Sequence, residues 1–150
     1  LPRVRREVPD ARFRIVGSNP APEVRRLGES EGVEVTGRVP DVRPHLLGAA
    51  VSVAPLRMGR GVPNKVLEAL ALALPLVATP RAVAGLALDA FEATEVAEEP
   101  EAFAAAAVRR LQAARNGSGR HPGNRRLLEE RYSWERSMET LRGIVLPEAS

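Results

Sequence analysis

The sequence predicts an α/β protein built on a doubly wound parallel sheet, and three observations carry that prediction. Four short β-rich runs recur along the first eighty residues: RFRIVG (12–17), VEVTG (33–37), AVSVAPL (50–56) and PLVAT (75–79). Two of them, 50–56 and 75–79, are nearly continuous apolar runs, the pattern of strands covered on both faces. Helical patterns fill the gaps between successive runs, and strand alternating with helix means βαβ units.

Taken in order, the first run follows Asp10, which reads as a turn residue, and closes on Gly17. APEVRRLGES (21–30) then carries a helical pattern, and VEVTG alternates before closing on Gly37. Asp41, after Pro40, is placed to cap a helix over VRPHLLGAA (42–50). The third run leads through a glycine-bearing loop to PNKVLEALALA (63–73), with Pro63 at the first helical position, where its missing N–H costs nothing. FEATEVAE (91–98) is a weaker fifth strand. From Pro100 the chain is helical, with Asn116-Gly117 as the stop, and EAFAAAAVRRLQAAR reads as an amphipathic covering helix, a membrane-surface role being a minor alternative. NGSGRHPGN (116–124) reads as a flexible link. RRLLEERY and WERSMETLRGIVL form two closing helices, the second capped by Ser133 and anchored by Tyr132 and Trp134.

At 150 residues the chain makes one domain, 1–150. No apolar stretch approaches a membrane span, and the arginine-rich N-terminus lacks the apolar segment of a secretory signal. The first residue is Leu1, so an excerpt or processed product is expected. Cysteine is absent, which removes disulfides and thiol chemistry, and His45 and His121 are too few for a histidine-rich metal site. His45 reads as a packing or surface residue, and no Ser/His/Asp set can be assembled. The pI of 10.4 accompanies a net charge of only +3, because nearly every base is arginine. Those arginines alternate with glutamates on helical stretches, a solvated face and not a nucleic-acid stripe. Three Phe, one Tyr and one Trp are too few for a base-stacking platform.

Parallel sheets bind ligands outside the carboxyl ends of their strands, here the loops 17–22, 37–41, 57–63 and 79–84. The third is the most informative. Gly59 and Gly61 let backbone approach a ligand, and the helix that follows offers its positive end to an anion. The Walker A spacing is absent, and Asn64 stands where G-x-G-x-x-G needs its third glycine, so a plain glycine turn remains an alternative. Lys65 is the only lysine among 22 basic residues. A compact point charge in a first helical turn suits a phosphate oxygen, although a lysine snorkelling to solvent is also open. On a helical wheel Val66, Leu67, Leu70 and Leu74 share one face, with Leu72 beside Asn64 and Glu68 on the other. A helix with leucine on both sides is expected to be covered nearly all round, so Glu68 needs a partner. That partner is either Lys65 at i−3 or the hydroxyls of a sugar.

GRGVPNKVLEALALALPLVAT, with RFRIVG, VEVTGRVPDVRPHL and AVSVAPLRMG ahead of it, resembles the C-terminal domain of family 4 glycosyltransferases. The resemblance runs from about Pro9 through YSWERSMETLRGIV, and is nearest to variants linked to exopolysaccharide assembly. It implies the Rossmann-like half of a GT-B fold with C-terminal helices, from a retaining, metal-independent enzyme with no cofactor beyond its nucleoside diphosphate sugar donor. It further implies that Glu68 is the second glutamate of the E-x7-E motif and holds the ribose. Gly59, Arg60, Gly61 and Val62 match the loop near the diphosphate and donor sugar, and Lys65 precedes the helix glutamate. Arg38, Val39 and Pro40 match the loop that meets the base, and Gly17 matches the glycine beside the donor. The motif's first glutamate falls on Arg60, a departure that removes the carboxylate expected near the donor sugar.

The same resemblance implies that an earlier strand and an N-terminal acceptor-binding domain belong ahead of Leu1, leaving the isolated chain inactive and its catalytic residues unassigned. The acceptor is a saccharide or a lipid-linked molecule. The location implied is cytoplasmic, with peripheral association of the full-length enzyme at the inner face of the membrane as an option. Two further readings stand beside it: a non-catalytic nucleotide-binding regulatory or partner-completed module, and a plain interaction domain.

Overall fold

A computed structural model describes residues 1–58, 63–87, 90–133 and 138. The β-rich runs form five strands, β1 (Phe13–Ile15), β2 (Val33–Val35), β3 (Ser52–Ala54), β4 (Leu76–Ala78) and β5 (Thr94–Val96). Between and around them lie α1 (Pro2–Glu7), α2 (Pro22–Leu27), α3 (Arg43–Leu47), α4 (Asn64–Ala71), α5 (Pro100–Arg115) and α6 (Pro122–Tyr132). A 3-10 turn, Pro80–Val83, follows β4. The expected α/β class is therefore found, and every strand pair is parallel.

The expected single sheet is divided in two among the described residues: β1 pairs with β2, and β3, β4 and β5 form a second sheet in that order. The two differ in coverage. In β4, Leu76, Val77 and Ala78 are all fully buried, and since successive side chains point to opposite faces, both faces of that strand are covered. Helices α4 and α5 both pack on it. In β1 and β2 burial alternates, and the register partners Arg14 and Glu34 join across the open face at 2.7 Å. The double winding is thus a property of the β3–β5 half.

The hydrophobic core sits in that half, around Ala54, Val66, Leu70, Leu74, Leu76 and Phe91, with Leu127, Leu128 and Tyr132 of α6 packed against it. Helix α1 is an element that the sequence reading did not expect. Its signal is Pro2 in the first turn and the Val4–Val8 spacing, which leaves Val8 only 2% exposed where α1 meets α5.

Two helices end in the same hydrogen-bonded pattern. At the end of α5, Gly117 N–H donates to Ala114 and Ser118 N–H to Ala113, with Gly117 at φ +87°. The Asn116-Gly117 stop is found where expected. At the end of α4, Ala73 N–H donates to Leu70 and Leu74 N–H to Ala69, but the left-handed residue is Ala73, at φ +57°.

The segment expected to be a flexible link is instead docked at its second half. Arg120 donates to the carbonyls of Leu72 (2.8 Å) and Leu47 (2.6 Å), and His121 N–H donates to the Ala73 carbonyl at 2.9 Å. Asn124, 1% exposed, accepts from Glu92 N–H at 2.8 Å and donates to the Glu92 carbonyl at 2.7 Å. Low complexity suggested a flexible link, but two polar side chains, those of Arg120 and Asn124, and the His121 backbone N–H find backbone partners there. Tyr132 fastens the end of α6: its hydroxyl accepts from Ala87 N–H at 2.9 Å and its ring lies 6.3 Å from Phe91. Trp134 and most of the second closing helix lie outside the described residues.

Candidate functional site

The carboxyl ends of β1 and β2 form a groove of about 490 Å3 lined by Gly17, Ser18, Asn19, Arg38, Val39 and Val42. Local geometry explains how it opens. Gly17 N–H donates to the Gly37 carbonyl at 3.3 Å, carrying the β1–β2 pairing one step past the strands. Gly37 then turns the chain at φ +69°, a conformation that disfavours any Cβ, and Asn19 does the same across the groove at φ +49°. Of the residues expected to meet the donor, Gly17, Arg38 and Val39 are brought together here, and Pro40 follows, exposed. The Arg38 side chain is exposed and forms no hydrogen bond or ion pair with the described residues.

A larger depression, about 670 Å3, runs along the outer edge of β2 between Asn19, Arg25, Gly28, Val35 and Arg38. It shares Asn19 and Arg38 with the groove but lies mainly beside a strand edge. The smaller groove is where the loops converge, and it is the better candidate for a ligand site.

Asp41 borders this region. Its carboxylate accepts Arg43 N–H at 2.9 Å and the Arg43 side chain at 3.0 Å. The Arg43 hydrogen bond holds its carboxyl below the ordinary range. Asp41 is not the N-cap expected of it: Val42 flanks α3, and Asp41 instead accepts the N–H of the first helical residue, Arg43. His45 lies half-buried on α3.

At the other candidate region, α4 begins at Asn64, with Pro63 as its flanking residue at φ −68°, one position before the expected one. Among the described residues no side chain caps this end. Lys65 and Glu68 are exposed, and neither forms an ion pair or side-chain hydrogen bond with the described residues. This corrects the expectation that the helix is covered nearly all round. Val66, Ala69 and Leu70 are fully buried against β3, β4 and α6, while the side bearing Lys65 and Glu68 faces solvent. Leu72, the basis of that expectation, falls after the last helical residue and packs on the core. Burial therefore demands no partner for Glu68. Gly59, Arg60, Gly61 and Val62 lie outside the described residues. Neither of the two grooves described above is lined by Lys65 or Glu68.

Sequence reasoning passed over three residues at the same strand ends. Thr79 closes β4 with a buried hydroxyl. Arg57 and Arg81 are exposed on the loops after β3 and β4, with no carboxylate partner among the described residues. The signal for Thr79 was a single polar residue closing a continuous apolar run.

A family model described as glycosyl transferases group 1 matches residues 1–113. The chain belongs to that family. Among curated proteins no match was found. As a group 1 glycosyl transferase domain the chain serves glycosyl transfer, and membership of the family implies a nucleotide-sugar donor and an acceptor. The parallel α/β architecture is consistent with the Rossmann-like half of a GT-B enzyme. Among the described residues no helix is long and apolar enough to cross a membrane, and no three metal-ligating side chains converge.

Proposed function

We propose that this domain holds the nucleoside diphosphate sugar of a retaining, metal-independent family 4 glycosyltransferase of the exopolysaccharide-associated type. The observation that carries the reading is the groove at the carboxyl ends of β1 and β2, where Gly17 meets Arg38, unpaired among the described residues, in a chain of this family. In the proposal the base lies along Arg38, Val39 and Pro40. Glu68 accepts hydrogen bonds from the ribose, and Lys65 at the uncapped end of α4 neutralises the diphosphate. Stabilising the departing diphosphate electrostatically is the contribution to rate that such a site makes. Gly59, Arg60, Gly61 and Val62 complete the site beside the donor sugar. An exposed glutamate and an exposed lysine, both without partners among the described residues, are free to take these roles without breaking other contacts.

The acceptor, a saccharide or a lipid-linked molecule, is assigned to a preceding N-terminal domain, and transfer to the cytoplasmic side of the membrane. A preceding strand joining the two sheets is part of the same proposal; the edges of β1 and β3, unpaired among the described residues, support it. Calorimetric titration with UDP-, GDP- and ADP-sugars tests the donor role. One of the three is expected to bind, with affinity at least tenfold weaker in Lys65→Ala and Glu68→Ala. If none binds, or if both variants bind like the wild type, the donor reading fails.

A further inference from the structure

The register of β3 and β4 runs Ser52↔Leu76, Val53↔Val77 and Ala54↔Ala78, and there the ladder stops. Thr79 continues it by other means. Its N–H donates to the Ala54 carbonyl at 3.2 Å, and its hydroxyl donates to the Leu56 carbonyl at 2.6 Å. The hydroxyl also lies 3.5 Å from the Ala54 carbonyl, which the Thr79 N–H already serves, and its short bond is the one to Leu56. That bond fixes the chain beyond the strands, because Leu56 lies two residues past the end of β3 and leads directly into Arg57 and Met58. Thr79 is only 7% exposed, so water does not readily replace the bond. Arg57 is one residue from the acceptor of this bond and Arg81 two residues from its donor. One hydroxyl thus joins two segments that each carry an exposed arginine without a carboxylate partner among the described residues.

We propose that Thr79 is a positioning residue: its hydroxyl sets the exit of β3, and with it Arg57 and Arg81, against the diphosphate of the donor. This rests on the donor-site reading and extends it to residues that reading does not use.

Two variants and two measurements test it. Thr79→Val keeps the shape but removes the O–H, leaving the Leu56 carbonyl unpaired, and Thr79→Ser keeps the donor. In the free chain, NMR order parameters of the Arg57 and Met58 amides are expected to fall below about 0.6 in Thr79→Val. They should stay near the wild-type values in Thr79→Ser. Affinity for UDP, GDP or ADP, whichever the wild type prefers, should weaken about tenfold in Thr79→Val and recover in Thr79→Ser. Unchanged order parameters in Thr79→Val overturn the proposal, as does unchanged affinity or an equal loss in both variants. A wild-type chain that binds none of the three nucleotides overturns the donor-site reading and the anion role of Thr79 together, while the order parameters still report whether the hydroxyl holds the β3 exit.

Discussion

Replacing Asn124 by alanine separates a docked chain from a flexible link. The Asn124 amide is buried and spans the backbone of Glu92, accepting its N–H at 2.8 Å and donating to its carbonyl at 2.7 Å. Alanine leaves both backbone groups unpaired, and each such group costs about 1–3 kcal/mol. Glu92 is itself exposed, so water recovers part of the loss, and the expected total is about 2–4 kcal/mol. For a domain of this size each kcal/mol is about 2–4 °C, so a loss of 3 kcal/mol lowers the melting temperature by about 6–12 °C. Urea unfolding followed by circular dichroism measures it directly. Asn124→Asp keeps the acceptor but sets a carboxylate against the Glu92 carbonyl, and should lose at least as much. A loss below about 0.5 kcal/mol, the ordinary range for a surface position, refutes the reasoning and restores the flexible link.

Other outcomes follow from the same contacts. Burial alone would raise the Glu95 carboxyl, but hydrogen bonds from Arg109 and Arg110 outweigh it and hold it below the ordinary range. The folded chain therefore binds that proton less readily than the unfolded one. The stability it contributes is present above the unfolded value, about 4.3, and is lost as pH falls through the folded one. Urea midpoints compared at pH 6 and pH 3.5 should fall less in Glu95→Gln than in the wild type; equal falls count against the ion pair. Gly117→Ala meets no atom within 4 Å but must hold φ +87°, so calorimetry should show a loss of about 1–2 kcal/mol from backbone strain alone. Lys65→Ala and Glu68→Ala should change stability by no more than about 0.5 kcal/mol, because both side chains are exposed and unpaired among the described residues. A larger change would mean that they serve the fold.

Much of the architecture was legible because it is written in apolar spacing. The run 75–79 is continuous because both faces of β4 are covered, and Asn116-Gly117 stops α5 because its left-handed residue is a glycine. What was not legible depended on tertiary contacts. The pattern through Leu72 looked helical to its end, but Ala73 adopts the left-handed turn without a glycine to announce it. Asn124 and Arg120 are ordinary polar residues in a Gly- and Ser-rich stretch until Glu92, Leu72 and Leu47 come within reach. At the β1–β2 groove, the loops carrying Gly17 and Arg38 could be read from strand ends. The solvent exposure of Glu68 could not, because it depends on which flank of α4 is taken by α6.

The two ends of α4 are held very differently. The carbonyls of Leu72 and Ala73, just past its last residue, are gripped by Arg120 and His121 beside the tight bonds around Ala73, whereas among the described residues no side chain caps its first turn. The helix is thus a post set firmly at its base. If the proposed donor site is correct, its diphosphate meets helix dipoles that are already oriented, so little binding energy goes into reordering the helix. Changes at residues 120–124, far along the chain from Lys65, should then reach that end as a tilt of the whole post and weaken nucleotide affinity without altering Lys65 or Glu68.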